Sequence, residues 1–196
     1  MPPSVIALAG PNGAGKSTAG PALLKETLGI AQFVNADVIA QGLSAFAPES
    51  AALAAGKILL ARLRELAASR VSFAFETTLA GRSCQRWLTT LISEGYSFHI
   101  IYLWLPNPAF AVARVKDRVR RGGHAIPEST IRRRFATGLR NFFAYYQEIA
   151  ESWRIYDSSG SPPRLVATGR GRLVAQVDDE ATWTKIQQTL GESPDA

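Results

Sequence analysis

Among its 196 residues the chain has a single cysteine, Cys84. A lone thiol closes no internal disulfide, so a reducing, cytoplasmic compartment is the expected home and a buried core must hold the fold. Cys84 reads as packing, not as a nucleophile. Long apolar runs are missing too. The longest, Ile100 to Leu105, has the length of a strand and not of a membrane span, so no membrane partner is expected. Met1-Pro2-Pro3 leads straight into an apolar strand, which leaves no room for a secretory signal. There are only two histidines. His99 lies in a strand-like run and reads as structural; His124 follows a Gly-Gly turn and suits hydrogen bonding better than base catalysis. Acidic residues are scarce in one stretch. Between positions 114 and 134 stand Arg114, Lys116, Arg118, Arg120, Arg121, Arg132, Arg133 and Arg134 against Asp117 and Glu128, which accounts for the whole net charge of +6. A charge so confined suits a small polyanion such as a triphosphate better than a nucleic-acid surface. A solvated basic face is the bland alternative.

The balance of 46% hydrophobic and 19% charged residues is that of an ordinary globular chain. Its length bounds one domain over 1–196. Strand and helix patterns alternate. Val5 to Ala9 is strand-like and is followed by a helix through Leu28. Gln32 to Val34 is a short strand, and Pro48 opens a helix to Ala68 with Ile58, Leu59, Leu63 and Leu66 on its apolar face. Val71 to Phe75 is a strand, Ser83 to Glu94 a helix, and Phe98 to Leu105 a strand apolar on both faces. Two helices flank Gly122 to Pro127. Val112, Val115 and Val119 share a face of the first, and Ile131, Phe135, Leu139, Phe142, Tyr146 and Ile149 form a stripe on the second. Trp153 to Asp157, a hairpin of Leu165–Thr168 with Arg172–Val177, a helix over 180–190 and a flexible tail at 191–196 complete the chain. This alternation predicts an α/β fold of three layers, a mostly parallel sheet with helices on both faces.

Gly10-Pro11-Asn12-Gly13-Ala14-Gly15-Lys16-Ser17-Thr18 fits the phosphate-loop pattern G-x-x-x-x-G-K-[ST], between a strand and a helix as that pattern requires. The glycines let backbone amides turn inward around phosphates, and the following helix points its positive end at the same anion. Lys16 adds a mobile cation, and the Ser17 hydroxyl is placed to ligate Mg²⁺. Gly10, Asn12, Gly13, Ala14, Gly15, Lys16, Ser17 and Thr18 are therefore the candidate nucleotide-binding residues, with ATP, or GTP, and Mg²⁺ as cofactors. In an open parallel sheet, ligands bind beyond the carboxyl ends of the strands. Those ends also carry Asn35, Asp37, Glu76, Thr77 and Thr78. Asp37 can take the proton of an attacking hydroxyl or cap the helix that begins at Val38. Glu76 can hold the acceptor or a metal-bound water, or lock the mouth by bonding backbone amides. Asn35, Thr77 and Thr78 read as substrate-binding. Segment 106–135 reads as a helical lid that brings arginines to the transferring phosphoryl group.

This ordered set resembles the zeta-toxin family of P-loop kinases, particularly its short members. The resemblance runs from Val5 to Ser159. It rests on the phosphate loop, Val34-Asn-Ala-Asp37, Phe75-Glu-Thr-Thr-Leu79, Arg114-Val-Lys-Asp-Arg-Val119, Gly122-Gly-His-Ala-Ile-Pro127 and Ile131-Arg-Arg-Arg-Phe135. It implies a kinase transferring the γ-phosphoryl group of ATP to an alcohol, with Asp37 as base. It also implies two lid arginines, best matched by Arg118 or Arg121 before the turn and Arg133 or Arg134 after it. Toxins of this family phosphorylate the 3′-hydroxyl of UDP-N-acetylglucosamine and are restrained by a small antitoxin. Tyr156-Asp157-Ser158-Ser159 departs from the pattern, with serine where close relatives carry asparagine. The readings kept beside it are a nucleic-acid end kinase and a nucleotide-binding regulator without transfer activity.

Overall fold

Alternation along the first strand decides the layering. In β1 (Ser4–Ala9), Val5, Ala7 and Ala9 enter one apolar cluster and Ile6 and Leu8 the other, so the strand is covered on both faces. In the computed structural model, which describes residues 2–20, 24, 29–123 and 125–191, β1 sits inside a seven-stranded sheet. Its companions are β2 (Gln32–Val34), β3 (Phe73–Thr77), β4 (Ser97–Trp104), β5 (Ser152–Asp157), β6 (Arg164–Arg170) and β7 (Leu173–Val177), in the order β2-β3-β1-β4-β5-β6-β7. The first five run parallel, and the β6–β7 hairpin joins antiparallel at one edge.

The helices are α1 (Lys16–Gly20), α2 (Ala36–Leu43), α3 (Ala52–Ala68), α4 (Ser83–Ser93), α5 (Pro108–Arg120), α6 (Glu128–Asn141), α7 (Gln147–Ile149) and α8 (Glu180–Gly191). Leu59, Leu63 and Leu66 of α3, Leu88 and Leu91 of α4, and Trp183 and Ile186 of α8 cover one face of the sheet. Leu24 and the α5 residues Val112 and Val115 cover the other. The three-layer expectation holds. None of the described helices is long and apolar enough to cross a membrane.

Several expected boundaries move for local reasons. Pro48 starts a single 3₁₀ turn, Pro48–Ala51, and α3 begins after it. Ala55 completes the buried row of α3, while Ile58 is turned out and 44% exposed. Val119 likewise leaves the apolar face of α5, at 38% exposure. The strand expected from Val71 begins at Phe73 and takes in Glu76 and Thr77. The long stripe after Pro127 is not one α-helix. A π-helical turn at Phe142–Tyr146, in which the Gln147 amide donates to the Phe142 carbonyl, separates α6 from α7. Phe142 and Tyr146, at its two ends, are both fully buried in the core. Most of the helix expected through Leu28, His124, and residues 192–196 of the expected tail lie outside the described residues.

His99 sits beside Ser152 on the neighbouring strand, its Nδ1 2.8 Å from the serine hydroxyl. Burial pushes its imidazole below the ordinary 6.5; Glu151 opposes the shift, and Arg154 and Arg170 add to it. The unfolded chain therefore takes up the proton first as pH falls. The stability tied to neutral His99 is complete above 6.5 and is lost as pH drops from there through the lower folded value. Thermal melts between about pH 7 and 5 should show a shallower fall for His99→Gln than for wild type. Identical pH slopes would remove His99 from that account.

Candidate functional site

The strand register brings the site together. Ala9 pairs with Thr77 and Tyr102, Val34 with Phe75, and Trp104 with Asp157, so the carboxyl ends of five strands open on one mouth. β1 and β4 are neighbours whose connections leave toward opposite ends of the sheet. That reversal opens a crevice above β1. The phosphate loop fills it with φ of +137° at Gly10, +81° at Gly13 and +79° at Gly15. A side chain at Gly10 would overlap the Leu103 carbonyl, and one at Gly13 would lie 2.8 Å from the Ala111 carbonyl. Only glycine serves at both positions.

Lys16 is 5% exposed. Its ammonium donates to the Gly10 and Pro11 carbonyls, both at 2.9 Å, and lies 3.6 Å from Glu76 Oε1. Burial pushes its pKa down; the Glu76 and Asp37 carboxylates push it back up, and Arg118 works with burial. Two acidic groups and one arginine of α5 thus act on one lysine.

Glu76 is the hub of the mouth. Its Oε2 accepts from the Ser17 hydroxyl at 2.9 Å and from Asn35 Nδ2 at 2.6 Å. Both of these donors are side chains, where the locking reading named backbone amides. Asn35 also works within the fold, because its Oδ1 receives the Asp37 and Val38 amides at 2.7 and 3.4 Å. Asn35 is the N-cap of α2, and the capping role considered for Asp37 is corrected: Asp37 stands in the first turn, inside the helix that was expected to begin after it. Its half-buried carboxylate borders both clefts described next.

Two clefts meet at this point. One, of about 660 Å³, is lined by Gly13, Gly15, Ser17 and Thr18 of the loop and by Arg114, Arg118 and Arg121 of the α5 side. The other, of about 510 Å³, is lined by Asn35, Thr77, Thr78, Thr130 and Arg134, with Ala36, Ala40, Ala52, Ile126 and Pro127 as an apolar wall. Asn12, Lys16, Asp37 and Glu76 border both. The Thr77 and Thr78 hydroxyl oxygens accept the Leu79 and Ala80 amides, at 3.0 and 3.5 Å, which leaves their protons to donate. Arg133 is exposed and borders neither cleft. Asn12 is 7% exposed, and its Oδ1 has no hydrogen-bond partner among the described residues.

Some contributors escaped the sequence reading. The Ser158 hydroxyl, 3% exposed, donates to the Ala14 carbonyl at 2.7 Å and so braces the phosphate loop from the end of β5. Arg114 donates to the Ser158 and Ser159 carbonyls at 2.6 and 2.9 Å and stacks on the Phe110 ring at 4.9 Å. Ser158, within the segment that departs from the family pattern, therefore has a structural task through its hydroxyl, and Ser159 takes part through its backbone. Their place at a strand's carboxyl end was the available signal.

Residues 5–142 match the family model of the AAA domain. An uncharacterized protein of Haemophilus influenzae is 29% identical over 136 residues, covering 69% of this chain and 94% of that protein. The crystal structure of AvrRxo1-ORF1:-ORF2 with ATP aligns at a TM-score of 0.70 and 18% identity, over 99% of this chain and 66% of that one. The chain thus spans just under two thirds of that neighbour's length. A structure of the PezAT chromosomal toxin-antitoxin system of Streptococcus pneumoniae aligns at 0.61 and 16% identity, covering 97% of this chain and 79% of its own. These likenesses are of fold, a mostly parallel sheet between layers of helices. The toxin–antitoxin neighbour agrees with the zeta-toxin resemblance carried by the motifs. The family match contains the phosphate loop, Asp37, Glu76 and the arginine-rich helices, and the chain belongs to the AAA domain family.

Proposed function

We propose that the chain is an ATP- and Mg²⁺-dependent kinase of a small-molecule hydroxyl. The observation that carries this reading is the meeting of two clefts at Asn12, Lys16, Asp37 and Glu76. A pure nucleotide switch needs the loop cleft alone. A second cleft sharing a carboxylate with it is what transfer requires.

The residues fit the cofactors. The left-handed glycines and buried Lys16 form a phosphate cradle. The Ser17 hydroxyl and Glu76 carboxylate supply the hard oxygen donors that suit Mg²⁺, directly or through its waters. Bound there, Mg²⁺ would neutralise charge on the β- and γ-phosphates. Asp37 accepts the proton of the acceptor hydroxyl as that oxygen forms its bond to the γ-phosphorus. The bond from that phosphorus to the β–γ bridging oxygen breaks, and ADP leaves with the electron pair. Arg118 or Arg121 from one side, and Arg134 from the other, stabilise charge on the equatorial oxygens.

The apolar wall beside Arg134 and three threonines favours an acceptor with apolar area, hydroxyls and an anionic group. UDP-N-acetylglucosamine, phosphorylated on its 3′-hydroxyl, is the leading candidate, and a small antitoxin protein is the partner this reading names. Incubation with ATP and UDP-N-acetylglucosamine should yield a sugar 3′-phosphate ester. Esterification of another metabolite in its place would keep the kinase and remove the acceptor. Phosphorylation of an RNA or DNA end, with steeply salt-dependent binding, would favour the nucleic-acid kinase.

The arginines give a sharper expectation. Alanine at Arg118, Arg121, Arg133 and Arg134 should have unequal effects. Arg134 and one of the first pair should cost about 2–4 kcal/mol of transition-state stabilisation, with Arg133 close to neutral. Small and equal losses at all four would remove the lid from the mechanism.

A further inference from the structure

The acceptor-side segment 77–81 is held by α6 and the π-helical turn through three contacts, with a fourth at Arg82 just beyond it. Gly138 approaches so closely that a methyl there would overlap the Thr78 carbonyl. Asn141, 6% exposed, donates through Nδ2 to the Leu79 carbonyl at 2.7 Å. The Tyr146 hydroxyl donates to the Gly81 carbonyl at 2.6 Å, and Arg82 donates to the Tyr145 hydroxyl at 3.0 Å. Leu79 itself has φ of +54° while fully buried. A non-glycine residue in that region costs on the order of 1 kcal/mol or more and persists only where its surroundings enforce it.

Thr130, Arg134, Gly138 and Asn141 follow one another at helical spacings of four, four and three, so they share one face of α6. The first two line the acceptor cleft; the last two touch Thr78 and Leu79. The helix also changes layer along its length. Ile131 and Phe135 pack in the cluster on one side of the sheet, and Leu139 in the cluster on the other. A helix anchored in both layers crosses the mouth as a fixed bar.

We propose that Gly138 and Asn141 are positioning residues that clamp segment 77–81 to α6, making Thr77, Thr78 and Arg134 a rigid, preformed half-site for the acceptor. Closure is then confined to the α5 end and the turn after it, which bring Arg118 and Arg121 to the phosphates. This inference rests on the kinase reading, since only a transferring enzyme has an acceptor half-site.

The test uses the full chain with Asn141→Leu, which keeps volume and removes the donor, and Tyr146→Phe, which removes one hydroxyl. Gly138→Ala is the harsher third variant. Hydrogen exchange should rise about tenfold in residues 77–81 of Asn141→Leu and less in Tyr146→Phe, with residues 10–18 unchanged. In the UDP-N-acetylglucosamine assay the acceptor KM should rise about tenfold while the ATP dissociation constant stays within about twofold. Unchanged exchange at 77–81, exchange raised equally across β1 and β4, or a loosened segment with unaltered acceptor KM would each overturn the clamp. A wild-type protein that phosphorylates no acceptor would sink the kinase reading, and the proposed half-site with it, whatever the exchange shows.

Discussion

Lys16→Ala abolishes detectable phosphoryl transfer and weakens ATP binding by at least about a hundredfold, near 3 kcal/mol, the scale of losing a charged group aimed at the transferring phosphates. The reason lies in its surroundings. The side chain is buried, tied to two loop carbonyls and 3.6 Å from Glu76, so its charge is fixed where phosphates would dock. Lys116, a described lysine on α5, reaches Glu128 on the outer side of the arginine-rich helices. Alanine also leaves the Gly10 and Pro11 carbonyls without their donor, so a modest loss of thermal stability should accompany the loss of binding. Isothermal calorimetry with ATP checks the first effect and thermal melting the second. Unchanged ATP affinity would overturn the phosphate-loop assignment.

Asp37→Asn lowers turnover by roughly a hundredfold or more, the usual scale for loss of a general base, and leaves ATP affinity within a few-fold of wild type. The placement of Asn35 as N-cap makes this experiment cleaner than the sequence suggested, because the side-chain cap of α2 is made by Asn35 and is untouched by the substitution. Asparagine keeps the shape and removes the carboxylate that borders both clefts. Turnover that survives the change, with a lowered melting temperature, would make Asp37 a structural residue and would move the base to Glu76.

Local pattern carried much of this. The glycine spacing of the phosphate loop, the two-residue alternation in β1 and the polar clusters after Val34 and Phe75 are short-range signals, and they located the sheet and its mouth. What escaped depends on long-range packing. Gly138 looked like a neutral interruption in a helix until the Thr78 carbonyl was found against it, although a glycine inside a helical pattern is itself a hint of close approach. Asn141 was hidden among the aromatic residues of its stripe, and the π-helical turn just after it has no period that a sequence window reveals. Arg133 and Arg134 were equivalent in sequence; helix phase alone put Arg134 at the cleft lined by Thr77 and Thr78. The helix α2 starts two residues earlier than expected, at Ala36 and not Val38, which moves the cap from Asp37 to Asn35, a distance at which boundary readings commonly fail.

Transfer between the two clefts is tested most directly by following the γ-phosphoryl group itself. Wild-type protein incubated with γ-labelled ATP, Mg²⁺ and a small-molecule extract should place the label on the hydroxyl of a metabolite, with UDP-N-acetylglucosamine the first product to be sought, and Asp37→Asn should not. Label recovered only as inorganic phosphate, in equal amounts from both proteins, would contradict the account.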